Sequence, residues 1–155
     1  MITITEGDLL TCDAKYIVHQ CNCVTRSSAG LAHFLFQKFP YANAYIDGST
    51  RTPGTIQIRG DPSLNQRLVV NLFSQYNPGG VTFHTETESV RLKWFKDGLH
   101  KLANIGESLE SVAFPYLIGC GLAGGDWNKY QLYIEDFANQ VAPFNVKVSI
   151  VKLPL

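Results

Sequence analysis

The sequence has no long apolar run; nothing in it approaches the ~20 consecutive apolar residues that a membrane helix needs, so no membrane is expected as a partner. It also has no surplus of either charge. Thirteen Lys and Arg balance 13 Asp and Glu, and charged residues make up 17% of the 155. Without a basic field, a long nucleic acid is not an expected partner either. No internal repeat, low-complexity tract or charge block divides the chain, and its loose stretches, 47–54 and 76–84, do not read as interdomain linkers. A single domain over 1–155 is expected, as a monomer. Cysteine is sparse: Cys12, Cys21, Cys23 and Cys120. The opening MITITEGDLL lacks the basic-then-apolar order of a secretory signal, so reduced thiols in an intracellular, cytoplasmic or nuclear protein are expected rather than two disulfides. A zinc centre from His19, Cys21, Cys23 and Cys120 would rely on Cys-x-Cys, which lacks the usual two-to-four-residue gap. No metal and no cofactor are expected. What the chain does have is 45% hydrophobic residues, enough to bury a core without staples.

Local patterns alternate between the two regular periods. ITIT and AKYIVHQ read as strands from their β-branched and aromatic content, and in LAHFLFQKF the residues Leu31, Phe34, Leu35 and Phe39 recur at helical spacing. That helix starts near Ala29 and stops before Pro40. GTIQIR and RLVVNLF follow as strands around the turn-like GDPSLNQ. TETESVRLKWFKDGLHKLAN opens with Thr85-x-x-Glu88, a capping-box pattern, and sets Trp94, Phe95, Leu99 and Leu102 on one side. SVAFPYLIG is an apolar strand interrupted by Pro115, which predicts an early end or a place where the missing donor is tolerated. Tyr130, Tyr133, Ile134, Phe137, Ala138 and Val141 mark a helix over 128–141, and VKVSIVKL closes the chain as a strand. Such alternation predicts an α/β fold, a three-layer α/β/α sandwich on a mixed, largely parallel sheet. Ligands on such sheets sit at the carboxyl ends of the strands. The loops leaving AKYIVHQ and SVAFPYLI are of that kind.

FPYLIGCGLAGGDW carries Gly119, Gly121 and Gly124 in G-x-G-x-x-G spacing, but a dinucleotide fingerprint belongs to a first strand–turn–helix unit, with an acidic residue ~20 positions on. Here the loop lies in the final third, and VKVSIVKLPL offers no carboxylate. A phosphate loop of the ATPase kind needs Lys and Ser/Thr where Gly125 and Asp126 stand. A cysteine-phosphatase loop needs an arginine six positions after its cysteine; Cys120 is followed there by Asp126, and Cys21 by Ser27. What remains is backbone physics. The glycines turn N–H groups toward one point, and the following helix adds its positive end, which suits a mono- or diphosphate. The alternative is a tight turn whose glycines serve shape alone.

The other loop, HQCNCVTRSSAGLAHF, places Asn22 just past a strand and Ser28, Ala29, Gly30 and Leu31 at a helix start. An amide there can meet ribose hydroxyls, and small residues admit phosphate. With EGDLL, IVHQCNC, GTIQI, NLFSQ and FPYLIGCGLAGGDW along nearly its whole length, the chain resembles the macro domain family of ADP-ribose-binding modules. Within it the chain looks closest to the ADP-ribose 1″-phosphate phosphatases and terminal ADP-ribose glycohydrolase-like proteins. The resemblance implies that Asp8, with the Leu9 backbone, receives the adenine amino group, and that Asn22 meets the distal ribose. It further implies that Ser28, Ala29, Gly30 and Leu31 form a first ligand loop, and that Gly119, Cys120, Gly121, Leu122, Ala123, Gly124 and Gly125 wrap diphosphate and distal ribose. Departures are present: Thr25-Arg26-Ser27-Ser28-Ala29-Gly30 replaces a glycine run, Ser74-Gln75-Tyr76-Asn77 has no lysine, and Ala123 stands where relatives have aspartate.

For chemistry, His19 matches a histidine of phosphatase-type relatives and could titrate near neutrality; it also reads as a strand histidine. Asp126 is the nearest carboxylate to the loop and also a natural N-cap for the helix after it. Asp8 and Asn22 have bland readings as turn residues, and His84 and Trp127 as a loop histidine and a core tryptophan. The expected function is binding of ADP-ribose or its 1″-phosphate, with hydrolysis of that phosphate through His19 and Asp126. Alternatives are a hydrolase freeing ADP-ribose from ADP-ribosylated protein or nucleic acid, and a reader module with no chemistry.

Overall fold

The computed structural model describes residues 2–81 and 86–154. Its strands are β1 (Ile2–Glu6), β2 (Tyr16–Cys21), β3 (Ile56–Arg59), β4 (Leu68–Phe73), β5 (Ser111–Pro115) and β6 (Lys147–Lys152), joined in one sheet of order β1-β6-β5-β2-β4-β3. β3 runs antiparallel to β4 and the other pairings are parallel. Helix α1 (Gly30–Lys38) covers one face; α2 (Glu88–Ala103) and α3 (Trp127–Val141) cover the other. This is the predicted three-layer α/β/α sandwich on a mixed, largely parallel sheet.

The two-residue period of a strand divides the core. Along β2, Tyr16 and Val18 pack under α2 and α3, while Ile17 and Cys21 pack under α1. β4 is buried at all six positions, as a strand covered on both faces must be. Within this apolar centre His19 and Asn71 are 1% and 0% exposed and bond each other at 2.6 Å, so neither buried polar group lacks a partner.

Helix boundaries follow local chemistry, with two corrections to the sequence reading. In α1 the buried positions are Ala32, Leu35 and Phe36, followed by Phe39, whereas Phe34 is 61% exposed and Leu31 rims the surface. Leu35 and Phe39 are buried as the spacing predicts, while Ala32 and Phe36 take the places expected for Leu31 and Phe34. In α2 the N-cap is Thr87, whose hydroxyl accepts from Val90 N–H at 3.2 Å. Thr85 of the expected capping box lies outside the described residues, and Glu88 instead accepts from Asp126 N–H at 3.2 Å. Phe95, Leu99 and Leu102 are buried as expected, with Trp94 half-buried. β5 does end at Pro115, and α3 buries Tyr130, Ile134, Phe137, Ala138 and Val141, each large apolar member worth ~1.5–3 kcal/mol on burial.

Parallel pairing brings the carboxyl ends of five strands to one edge. β2 and β5 are neighbours in the sheet, yet β2 continues toward α1 on one face and β5 toward α3 on the other. A crevice opens where neighbouring strands send their chains to opposite faces.

Candidate functional site

That crevice holds a cavity of ≈ 450 Å³, within the ~300–1,000 Å³ range of small-molecule sites. The β2–α1 loop supplies Asn22, Ser27, Ala29, Gly30, Leu31 and Ala32 to its wall, and the β5–α3 loop supplies Gly119, Gly121, Leu122 and Ala123, preceded by residues 115–118. His19, Gln20, Tyr45 and Gln75 line it from the sheet and beside it, and Pro78 and Gly79 from the loop after β4. Among the described residues no Lys, Arg, Asp or Glu lines it.

Asn22 is 7% exposed, and its Oδ1 accepts from Val24 N–H at 3.1 Å, Thr25 N–H at 3.0 Å and the Thr25 hydroxyl at 3.0 Å. Three donors on one atom fix the amide orientation, so the other end is the NH₂. That nitrogen makes no hydrogen bond among the described residues. The Asn22 N–H donates to the Tyr45 hydroxyl at 3.0 Å, and Arg51 Nη1 donates to the carbonyls of Asn22 at 3.4 Å and Thr25 at 2.9 Å. Immediately downstream, α1 begins after its N-cap Ala29, which offers no side-chain acceptor, so the first N–H groups of the helix, on residues that line the cavity, have no side-chain cap among the described residues.

The glycine loop closes on itself. Cys120 N–H donates to Leu117 O at 2.8 Å, Gly124 N–H to Gly121 O at 3.1 Å and Gly125 N–H to Gly119 O at 2.9 Å. The N–H groups of Gly121, Leu122 and Ala123 are left without a hydrogen bond among the described residues. Gly119 and Gly125 answer a packing need: a Cβ on either would stand 2.5 or 2.6 Å from the Tyr130 ring. Gly121 meets nothing within 4 Å and faces the cavity. Part of this motif is therefore shape and part is site.

His19 is neutral at physiological pH. Burial pushes its imidazole down to about 4, against a hydrogen bond to Asn71 that favours the charged form. Asn71 Nδ2 donates to Ala42 O at 2.7 Å, so Oδ1 faces His19 and accepts from Nε2–H, leaving Nδ1 unprotonated. The thiols are protonated too: burial drives Cys23 and Cys120 up to about 11, and Cys21 is raised by burial further still. All four cysteines are free.

Asp126 caps α3. Its Oδ1 accepts from Asn128 N–H at 3.0 Å, and the residue lies outside the cavity wall. Asp8 forms an Asx turn with Leu10 N–H at 2.9 Å, Leu9 is buried under the α1 face, and neither lines the cavity. Ser28, Cys120, Gly124 and Gly125 are likewise off its wall, while His19, Asn22, Ala29, Gly30, Leu31, Gly119, Gly121, Leu122 and Ala123 are on it. Trp127 packs edge-on to Tyr116 at 5.2 Å. His84 falls outside the described residues.

Comparison with solved structures settles the architecture. The macrodomain of Mycobacterium tuberculosis DarG matches 97% of this chain over 97% of its own length, with a TM-score of 0.76 and 24% identity. The chain has a macrodomain fold. The macrodomain of Thermus aquaticus DarG covers 99% of each chain at a TM-score of 0.72 and 21% identity, and an Oceanobacillus iheyensis macrodomain with MES bound covers 97% of this chain and 82% of its own at 0.60 and 16%. No protein-family model matches the sequence, and no curated protein sequence does.

Within this fold two arginines escaped the sequence reading. Arg91 is 1% exposed and forms an ion pair with buried Glu86, Nε to Oε2 at 3.0 Å and Nη2 to Oε1 at 3.1 Å. Its remaining donors reach Gly79 O at 2.7 Å, Asn77 O at 3.1 Å, Gly80 O at 3.3 Å and Ala123 O at 3.4 Å, which ties the loop after β4 to the glycine loop. Glu86 in turn accepts from Tyr76 and Asn77 N–H at 3.0 and 2.8 Å. Arg51 braces the opposite loop, as above. Gln75 was visible only as the absence of a lysine; it accepts from Gln20 Nε2 at 2.5 Å and donates to Asn77 O at 2.8 Å. Tyr45 and Arg51 had no local signal, because each acts on residues far away in sequence; Arg91 has a near partner in Glu86, but its reach to Ala123 spans 32 residues.

Proposed function

We propose that this macrodomain binds ADP-ribose in the cavity and hydrolyses ADP-ribose 1″-phosphate. The observation that carries the reading is a pair of unsatisfied donor sets facing one uncharged cavity: the uncapped start of α1 with the Asn22 amide on one side, and the N–H groups of Gly121, Leu122 and Ala123 on the other. Backbone donors hold a diphosphate without a side-chain charge. The Asn22 NH₂ then serves a hydroxyl of the distal ribose. For hydrolysis, His19 Nδ1 takes a proton from water as its oxygen bonds phosphorus. The bond from phosphorus to the anomeric oxygen breaks, and that oxygen receives the proton. Asp126, committed to α3, is left out of this step.

A second reading, a module that reads ADP-ribose without chemistry, is favoured by the lack of any Lys or carboxylate on the cavity wall and by the burial of His19. Calorimetry with ADP-ribose, AMP and NAD tests the shared premise; silence from all three at millimolar ligand removes both readings. Phosphate release then separates them. The phosphatase reading expects a rate that rises through about pH 4, where His19 loses its proton, and stays level through neutrality, with His19→Ala reduced ~10²-fold or more and Asp126→Ala within about twofold. Binding with no release above buffer leaves the reader. Release of ADP-ribose from a modified protein or DNA instead would assign the other hydrolase activity.

A further inference from the structure

Among the described residues no charged side chain lines the cavity, and the chain as a whole has no net charge. A guest that carries a further phosphate beyond the diphosphate still gains from a nearby positive charge, and one cation stands behind the wall. Arg51 is half-buried, holds the carbonyls of Thr25 and Asn22 through Nη1, and lays its guanidinium 5.1 Å from the centroid of the Tyr45 ring. It makes no ion pair among the described residues. Compare Arg59 on Asp47 and Arg91 on Glu86, whose charges are neutralised. The charge of Arg51 reaches the residues beneath Asn22: it favours the ionised forms of Cys21, Cys23 and Tyr45 against burial. Its Nη1 also satisfies two carbonyls of that loop, those of Asn22 and Thr25.

We propose that Arg51 is an electrostatic specificity residue that favours the more highly charged ligand at the Asn22 end of the cavity. The inference rests on the ADP-ribose reading, under which that end holds the distal ribose and whatever its anomeric carbon carries. Arg51 therefore selects an anionic substituent there, the 1″-phosphate, over a free hydroxyl.

The test compares ADP-ribose with ADP-ribose 1″-phosphate on wild type, Arg51→Lys and Arg51→Met, with phosphate release monitored so that only intact ligand is counted. At about 50 mM salt, Arg51→Met should lose about tenfold for the 1″-phosphate and about threefold for ADP-ribose, and raising salt to about 0.5 M should shrink both losses. Arg51→Lys should recover most of the difference. Equal, salt-independent losses for both ligands, not rescued by lysine, would mean that Arg51 only shapes the loop and would overturn the proposal. If Arg51→Met does not fold, wild type decides: the proposal expects a steeper salt dependence for the 1″-phosphate, and equal slopes reject it. If wild type binds neither ligand, the ADP-ribose reading fails first, and separately.

Discussion

The two loops that face each other across the cavity are built on opposite plans. The β5–α3 loop satisfies most of its own groups: its helix is capped by Asp126, its glycines bond one another, and its brace, Arg91, is neutralised by Glu86. The β2–α1 loop leaves its helix uncapped, turns a free amide into the cavity, and is braced by Arg51, which has no carboxylate among the described residues. Both obey the same chemistry of helix ends and buried donors. The difference is where satisfaction comes from: the β2–α1 side leaves a helix start and a side-chain amide for a ligand to complete, the β5–α3 side only the N–H groups of Gly121, Leu122 and Ala123.

The largest effect should come from the satisfied side. Arg91→Leu leaves the buried Glu86 carboxylate without its counter-charge and several carbonyls without their donor, and should lower stability by ~3–5 kcal/mol in denaturant titration. The pH dependence has a definite sign. Burial opposes ionisation of Glu86, but Arg91 and the Tyr76 and Asn77 N–H groups outweigh it and hold the carboxyl at about 2, below its ordinary 4.5. Its contribution is present above 4.5 and is lost as pH falls toward about 2. In Arg91→Leu that acid-side slope should flatten; an unchanged slope would mean the pair does not brace the loop.

A middle-sized pair of effects separates stability from binding. Asn22→Ala removes the acceptor for three donors and the amide in the cavity, and should cost ~1–2 kcal/mol of stability along with at least about tenfold in ADP-ribose affinity. Asp126→Ala removes a cap and should cost ~1 kcal/mol with affinity held within about twofold. Titrating both variants by calorimetry and thermal melt checks the contrast. Equal affinity losses would put Asp126 on the ligand after all.

How far this contrast could be read in advance depended on the range of each signal. The sandwich, the strand order of periods and the two loops came from patterns within ten to fifteen residues, where hydrophobic spacing and Pro or Gly punctuation act. Asp126 was legible as a cap because a cap needs only its own next two residues. Phe34 was misplaced because several apolar residues in LAHFLFQKF leave the buried stripe ambiguous until the sheet selects Ala32, Leu35 and Phe36. Arg51 was invisible, since its partner Thr25 lies 26 residues away, and the link that Arg91 makes between two loops was invisible, since Ala123 lies 32 residues away. The likeness to macro domains pointed to the glycine loop as a whole, and only packing against Tyr130 separates Gly119 and Gly125 from Gly121.

The smallest effect is also the most direct way to erase the difference between the loops. Ala29 already has the extended backbone of an N-cap, φ −138 and ψ 163, and lacks only an oxygen. Ala29→Ser should therefore stabilise the protein by ~0.5–1 kcal/mol, because its hydroxyl can accept from an amide two or three residues on. Ala29→Asp should stabilise it similarly and add a negative charge to the positive end of α1. If that end is the anion seat, the carboxylate occupies it, and Ala29→Asp should bind ADP-ribose more weakly than Ala29→Ser despite equal or greater stability. A stabilised Ala29→Asp with undiminished affinity would place the diphosphate elsewhere, on the Gly121 side of the cavity alone.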